Sequence, residues 1–355
     1  MNLREKAMVL LAGLAVAAAG CSGGPAEPAM ALNVRYAPDG TLVVFSGSAI
    51  DTYGPDLAPK AHIPVLSGLG PVFSVSDDGS VAAVASSVSG HQVQLFNVSS
   101  GTRGRMIDLG LSPAADSDSP QGLTLSPAGD LLFVVAGVGG QGDMSGMFDT
   151  ATGARLWTIE AAYGVNAVFS PDGSTVYVSS VTVGNEIGLE GLDSRTGTSR
   201  MTTPNDQEAF GAMPSPNTLI GVTVTADPVS YLESTKINLL STADGSLTSQ
   251  ISLPANTEFA GNVVKPPAFN CAPAAGLCAL YVVEKDPSGN SIIANAVQIW
   301  ALDGTQVQSI DNTSGDVALS SDGHYVASVW DGDVEVHEAS DGSLVKVLPY
   351  LNRKP

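Results

Sequence analysis

The sequence predicts an all-β fold, a β-propeller of seven four-stranded blades. Two observations predict it. A tight turn of the form "SPDG" recurs seven times along 355 residues, and a second glycine turn alternates with it. The first turn occurs as "APDG" (37–40), "SDDG" (76–79), "SPAG" (126–129), "SPDG" (170–173), "SPNT" (215–218), "APAAG" (272–276) and "SSDG" (320–323). Successive copies lie about 39 to 58 residues apart, a period that suits a propeller blade.

Local physics explains one copy. In "VNAVFSPDGSTVYVSS" (165–180) the flanking runs are β-branched and aromatic, side chains that suit a pleated, half-buried surface. Pro171 presets φ for the first corner, Asp172 can bond the backbone two residues on, and Gly173 supplies the positive φ that closes the hairpin. The second turn ends a hydrophobic strand in "LFNVSSG" (95–101), "MFDTATG" (147–153), "GLDSRTG" (191–197), "LLSTADG" (239–245), "IWALDG" (299–304) and "VHEASDG" (336–342). A degenerate form, "IDTYGPD" (50–56), stands in the first unit. Each unit thus holds two strands joined by the first turn and two by the second.

A lone blade cannot bury both faces of its sheet, so blades pack on each other until the ring closes. Two stacked β-sandwiches would also show many short strands, but regular alternation of two turns favours the propeller. The interval from Gly245 to Gly304 is long enough to hide an eighth blade. The chain starts on an inner strand, "LNVRYAPDG", and finishes on an outer one, "SLVKVLPYL", so closure needs no blade shared between the termini.

"FSPDGSTVYVSS" resembles the YVTN-type and WD-repeat-like propeller family, and "FDTATGARLW" (148–157) resembles the quinoprotein-type repeat. Trp157 stands alone in that second pattern, because equivalent positions elsewhere are not Trp. The repeats cover residues 32 to 351. They imply a fold and name no activity, since propellers host many.

The amino terminus divides into a basic start (Arg4, Lys6), an apolar run over 7–19, and "AAGC" ending at Cys21. It resembles a bacterial lipoprotein signal peptide. The resemblance implies that residues 1–20 are removed, that Cys21 carries acyl chains, and that 21–31 form a lipidated flexible linker. The propeller then occupies 32–351 and a tail 352–355, in the cell envelope, facing periplasm or exterior. An ordinary secreted protein is the alternative; thirteen apolar residues are short for a membrane span. In an oxidising envelope Cys271 and Cys278 of "NCAPAAGLCAL" read as a disulfide, with two free buried thiols as the alternative.

Net charge is −20 and becomes one unit more negative without Arg4, Glu5 and Lys6. Such a surface repels phosphate backbones, which excludes nucleic acid as a partner.

Residues for chemistry are scarce. No Gly-Lys dipeptide offers a phosphate loop, and G-x-S-x-G occurs only as "GCSGG" (20–24) inside the processing site. His62, His91, His324 and His337 show no metal-ligand spacing, and His324 is expected on the surface after its turn. "DSDSPQG" (116–122) opens like a calcium loop without the carboxylates that complete one. "DGD" (331–333) and "DTATG" (149–153) read as turn caps, and Trp157, Trp300 and Trp330 as strand residues packed in the core. No catalytic residue, cofactor or metal is expected. The function expected is a membrane-anchored scaffold that binds an envelope protein or a small ligand. The alternative is a propeller enzyme of lactonase or quinone-dependent dehydrogenase type, which would need charged residues converging on the central channel.

Overall fold

The structure is a computed structural model that describes residues 32–350, apart from 66–68, 87–91, 111–119, 137–143, 161–162, 182–186, 203–214, 227–232, 254–256, 260–268, 286–291 and 312–315. Seven antiparallel sheets follow one another along the chain and close into a ring, a seven-bladed β-propeller. They span Asn33–Pro64, Leu69–Asp108, Pro120–Glu160, Tyr163–Thr202, Thr218–Ser252, Thr257–Asp311 and Val317–Leu348, here blades 1 to 7. Strands within a blade are numbered one to four from the axis outward.

Five blades have four strands in the order of the chain. Blade 5 shows three among the described residues. In blade 6 the inner strand comes in two pieces, Thr257–Phe259 and Phe269–Ala272, both paired to Leu277–Lys285. That interruption takes up the long interval between Gly245 and Gly304, so no eighth blade hides there.

The ring is held by seven apolar layers, one at each junction between blades. Alternation makes this possible, because successive side chains of a strand point to opposite sides of the sheet. Leu42 and Val44 of blade 1 face blade 7 beside Ala327, Val334 and Val336. Val43 and Phe45 face blade 2 beside Ala82, Val84 and Phe96. Buried on both faces, the central strands read as continuous apolar runs, such as "LVVF" and "LLFVV". The junctions of blades 2–3, 3–4, 4–5, 5–6 and 6–7 repeat the scheme.

The recurring turns have two jobs. Within a blade, the Ser170 hydroxyl donates to Asp172 at 2.6 Å and accepts the Thr175 amide at 3.0 Å, while Asp172 accepts the Ser174 amide. Ser320 and Asp322 reproduce this set with Tyr325 and His324. Between blades, Gly79, Gly129 and Gly323 lie against the preceding neighbour. A Cβ on Gly79 would stand 2.4 Å from the Ala37 methyl of blade 1. With φ of 70° as well, that position admits only glycine.

The second turns dock in the same rotational sense. At three junctions the residue four places after a turn glycine lies over the turn of the next blade: Arg105 on Gly153, Trp157 on Gly197, Gln308 on Gly342. Lys346 closes the circle, its Nζ donating to the Leu57 carbonyl of blade 1 at 2.7 Å. Trp157 adds an indole hydrogen bond of 2.9 Å to the Ser194 carbonyl.

Because strands alternate in direction, both families of glycine turn lie on one face of the ring. The connections between second and third strands, and those from one blade to the next, leave from the other, called here the loop face. Strand one of blade 1 begins at that face and strand four of blade 7 ends there. The ring therefore closes by packing blade 7 on blade 1, without a shared sheet.

Candidate functional site

The innermost strand of every blade is a sheet edge, so its free amides need partners other than the ladder. Side chains of the adjoining blade supply them. Ser74 Oγ accepts the Leu125 amide at 3.0 Å, Asn270 Oδ1 accepts the Leu319 amide at 2.8 Å, and Asp316 Oδ2 accepts the Val34 amide at 3.0 Å. In the other sense, the Thr124 hydroxyl donates to the Ala167 carbonyl. Ser74, Thr124 and Asn270 each stand two residues before the first turn, so one sequence position carries this stitching.

In blade 1 that position is Arg35, and it builds the charged centre of the axial wall. Its guanidinium donates to Asp316 at 2.6 Å and to the Val34 carbonyl at 2.7 Å. Asn33 reaches the same carboxylate at 3.4 Å. The Asp316 side chain is largely buried, and these donors are the partners of its carboxylate. Asp77, in the first turn of blade 2, lies within the field of Arg35. Desolvation by neighbouring turns raises its pKa, Asp78 adds to the rise and Arg35 opposes it, although the residue itself remains exposed to solvent. Tyr36 next door is raised by burial, then by Tyr325 and Asp322, and its buried hydroxyl has no hydrogen-bond partner. A cation paired with one carboxylate, and within the electrostatic reach of a second, can orient a polar ligand. The sequence reading did not single out Arg35, Asp77 or Asp316; the signal for Arg35 was its place two residues before "APDG".

Two surface depressions lie away from the axis. A groove of about 390 Å³ runs between blades 3 and 4 on the turn face, lined by Pro127, Asp130, Pro171, Asp172, Arg195 and Arg200 among others. Its arginines are paired, Arg195 with Asp130 at 2.5 Å and Arg200 with Asp193. Turn bonds from Thr196 hold the Asp193 pKa low, and bonds from Ser170 do so for Asp172. A depression of about 330 Å³ on blade 1 holds His62 against the buried Asp51 at 2.7 Å. Its other lining residues include Thr52, Tyr53 and Lys60, with no Ser or Cys to serve as a nucleophile beside that histidine.

The residues singled out in the sequence are scattered. Cys271 and Cys278 face each other across the first turn of blade 6 and form a disulfide. Cys21, His91 and the opening of "DSDSPQG" lie outside the described residues. His324 is exposed, and His337 is packed between the Gly342 carbonyl and Glu335. Asp149 caps its turn by accepting the Thr152 amide and hydroxyl. Trp330 ends the second strand of blade 7, and Asp331 with Gly332 makes the two-residue hairpin that follows, both at positive φ. Trp300 is buried between blades 5 and 6. Among the described residues no group of three His, Cys, Asp or Glu could hold a metal ion.

No protein-family profile matches the sequence, and no curated protein matches it. In three dimensions 1189 chains of solved structures match, too many for the fold to select an activity. One belongs to Kuenenia stuttgartiensis hydrazine synthase, at a TM-score of 0.64 and 15% identity, covering 91% of this chain and 99% of that one. The likeness is one of fold: nearly the whole length of both chains follows the same propeller path.

Proposed function

We propose that this chain is a lipid-anchored propeller of the bacterial cell envelope, which binds a protein partner or small ligand through its loop face and performs no catalysis. The "AAGC" stretch ending at Cys21 supports the anchor, and the YVTN-like and quinoprotein-like repeats support descent from propellers that act as binding platforms. One observation carries the binding reading: the two faces of the ring are unlike. On the turn face, short glycine corners are locked to each other by the blade-to-blade contacts. The loop face carries connections of varied length, from the two-residue hairpin 331–332 to the eleven residues between Asp108 and Pro120. Binding residues concentrate on such connections over a rigid scaffold.

The test is affinity capture from solubilised membranes with the full chain, beside a variant whose residues 137–143 and 227–232 are replaced by Gly-Ser. A reproducible partner that depends on those segments is expected. Equal capture by the two chains, or no partner with every loop intact, overturns the reading.

A catalytic propeller of lactonase or quinone-dependent dehydrogenase type is the second reading. It draws on the Asp77, Arg35 and Asp316 grouping at the axis. Turnover of a lactone or alcohol panel that disappears in Asp77→Asn would establish it in place of the first.

A further inference from the structure

Blades 5 and 6 differ from the rest in their middle hairpins. Strands two and three run Thr218–Ala226 with Glu233–Ser241 in blade 5, and Leu277–Lys285 with Ile292–Ala301 in blade 6. Elsewhere these strands have four to seven residues. The extra length is all at the loop face, because the opposite ends are fixed by the glycine turns.

In blade 6 the end of the hairpin outruns both neighbours. Among the described residues the inner strand pairs no further than Thr257 with Glu284, and the outer no further than Asp311 with Ala296. Ile292 and Ile293 lie past both limits. They are 61% and 58% exposed, the two most exposed large apolar side chains among the described residues. Ile293 is the extra residue of a bulge, opposite the step from Glu284 to Lys285, which places it beside Ile292 at the exposed tip. Two adjacent bare isoleucines at a projecting tip offer apolar surface to a partner or a membrane.

The chain outside the described residues indicates which. Strand one of blade 1 starts at Asn33 on the loop face, so residues 1–31 join the ring from the side where Ile292 and Ile293 stand. Residues 22–31 reach at most about 35 Å when fully extended. We infer that the loop face is the membrane-proximal side of the propeller, and that Ile292 and Ile293 contact the lipid interface. The inference rests on the anchor at Cys21 proposed above. A tether of that reach keeps the point where the chain enters the loop face within about 35 Å of the leaflet. The contact is apolar rather than electrostatic, since a chain of net charge −20 is repelled by anionic headgroups.

The experiment uses the full acylated chain in vesicles of phosphatidylethanolamine with a minority of phosphatidylglycerol. An environment-sensitive fluorophore is placed at Ile293→Cys, or at Ser340→Cys on the turn face as the reference. A blue shift with a several-fold gain in intensity at 293, quenched by nitroxide lipids and absent at 340, is the expected result. A water-like signal at 293 on a chain that floats with the vesicles overturns the inference and leaves the anchor standing. A signal at 293 that changes only when membrane protein extract is added assigns the hairpin to a protein partner and overturns it too. Flotation of Cys21→Ser equal to that of the unmodified sequence removes the anchor, and the inference with it.

Discussion

The phenol of Tyr53 hydrogen-bonds the phenol of Tyr350 at 2.9 Å, although 297 residues separate them. Both side chains are fully buried, in the apolar layer where blade 7 meets blade 1. No sheet is shared between the ends of the chain, so this layer holds the last blade to the first together with the Arg35–Asp316 pair and the Lys346 bond to the Leu57 carbonyl. The Tyr350 amide also donates to Asp333, which fixes the second residue after the last strand.

Tyr350→Ala should therefore cost about 3–5 kcal/mol, as large-to-small changes do at buried aromatic positions. Tyr350→Phe keeps the ring and loses one hydrogen bond, costing about 0.5–1.5 kcal/mol. Urea unfolding of the two variants checks the order. If the ring closes mainly elsewhere, the alanine variant will lose no more than the phenylalanine one.

Gly197 and Gly276 separate two effects that a turn glycine can have. Both have positive φ, 69° and 65°. A Cβ at Gly197 would lie 2.8 Å from the Trp157 ring, whereas at Gly276 it would meet nothing within 4 Å. Gly276→Ala should show the conformational cost alone, about 1–2 kcal/mol. Gly197→Ala should cost more, because the indole must move off the turn and strain its bond to Ser194. In the double variant Gly197→Ala, Trp157→Ala that excess should vanish relative to Trp157→Ala.

The same contrast shows what was legible beforehand. The turns could be read from residues such as Pro171, Asp172 and Gly173, because each acts within a few residues of itself. Blade number followed from their period. The docking of Arg105, Trp157, Gln308 and Lys346 could not be read as one feature. The next turn accepts any long side chain, so the position shows no common residue type. The stitching by Ser74, Thr124 and Asn270 hid for a related reason: several short polar side chains can satisfy a neighbouring edge amide. Arg35 and Asp316 are 281 residues apart, and only ring closure brings them together.

Acid should weaken the fold through its turn carboxylates. Asp172 and Asp322 have lowered pKa values, each first through a serine hydroxyl, Ser170 and Ser320, and then through the amide two residues on. A carboxyl whose folded pKa is below its unfolded value, about 3.9, stabilises the protein above that value. This stability fades as pH falls through the lower, folded pKa. The melting temperature should hold from pH 7 to about 5 and drop below about 4. Ser170→Ala should bring Asp172 back toward its ordinary pKa in a carboxyl NMR titration. An unmoved titration would show that the amide of Ser174 is sufficient by itself.

The Cys271–Cys278 bridge closes a short loop at the first turn of blade 6, with a sequence separation of 7. Loop-closure entropy for so short a span amounts to about 2–3 kcal/mol. Blade 6 is also where the inner strand is interrupted, so the bridge holds the remaining piece, Phe269–Ala272, on its partner. Loss of the bridge in Cys271→Ser, Cys278→Ser should lower stability by about that amount. Hydrogen exchange should rise first at Leu280, whose ladder partner is Phe269. Uniform acceleration across all seven blades would argue that the bridge constrains only the unfolded chain.

Arg35 offers the sharpest test of the axial wall, because it serves two carboxylates of different character. Toward Asp316 it is a hydrogen-bond donor at 2.6 Å, and that carboxylate is largely buried. Toward Asp77 it acts through its charge, against desolvation and the repulsion of Asp78. Arg35→Met keeps the length of the stem and removes the cation. Stability should fall by about 1–3 kcal/mol through the lost charged hydrogen bond, and the already raised Asp77 pKa should rise further. A raised folded pKa means that ionised Asp77 disfavours the fold, so the variant's deficit should shrink as pH falls and that carboxyl takes its proton. Adding Asp316→Asn should recover part of the stability, since a neutral amide no longer needs the missing cation. An Asp77 titration unaltered in Arg35→Met would mean that the two groups do not share the axial space, and the grouping would lose its claim as a ligand site.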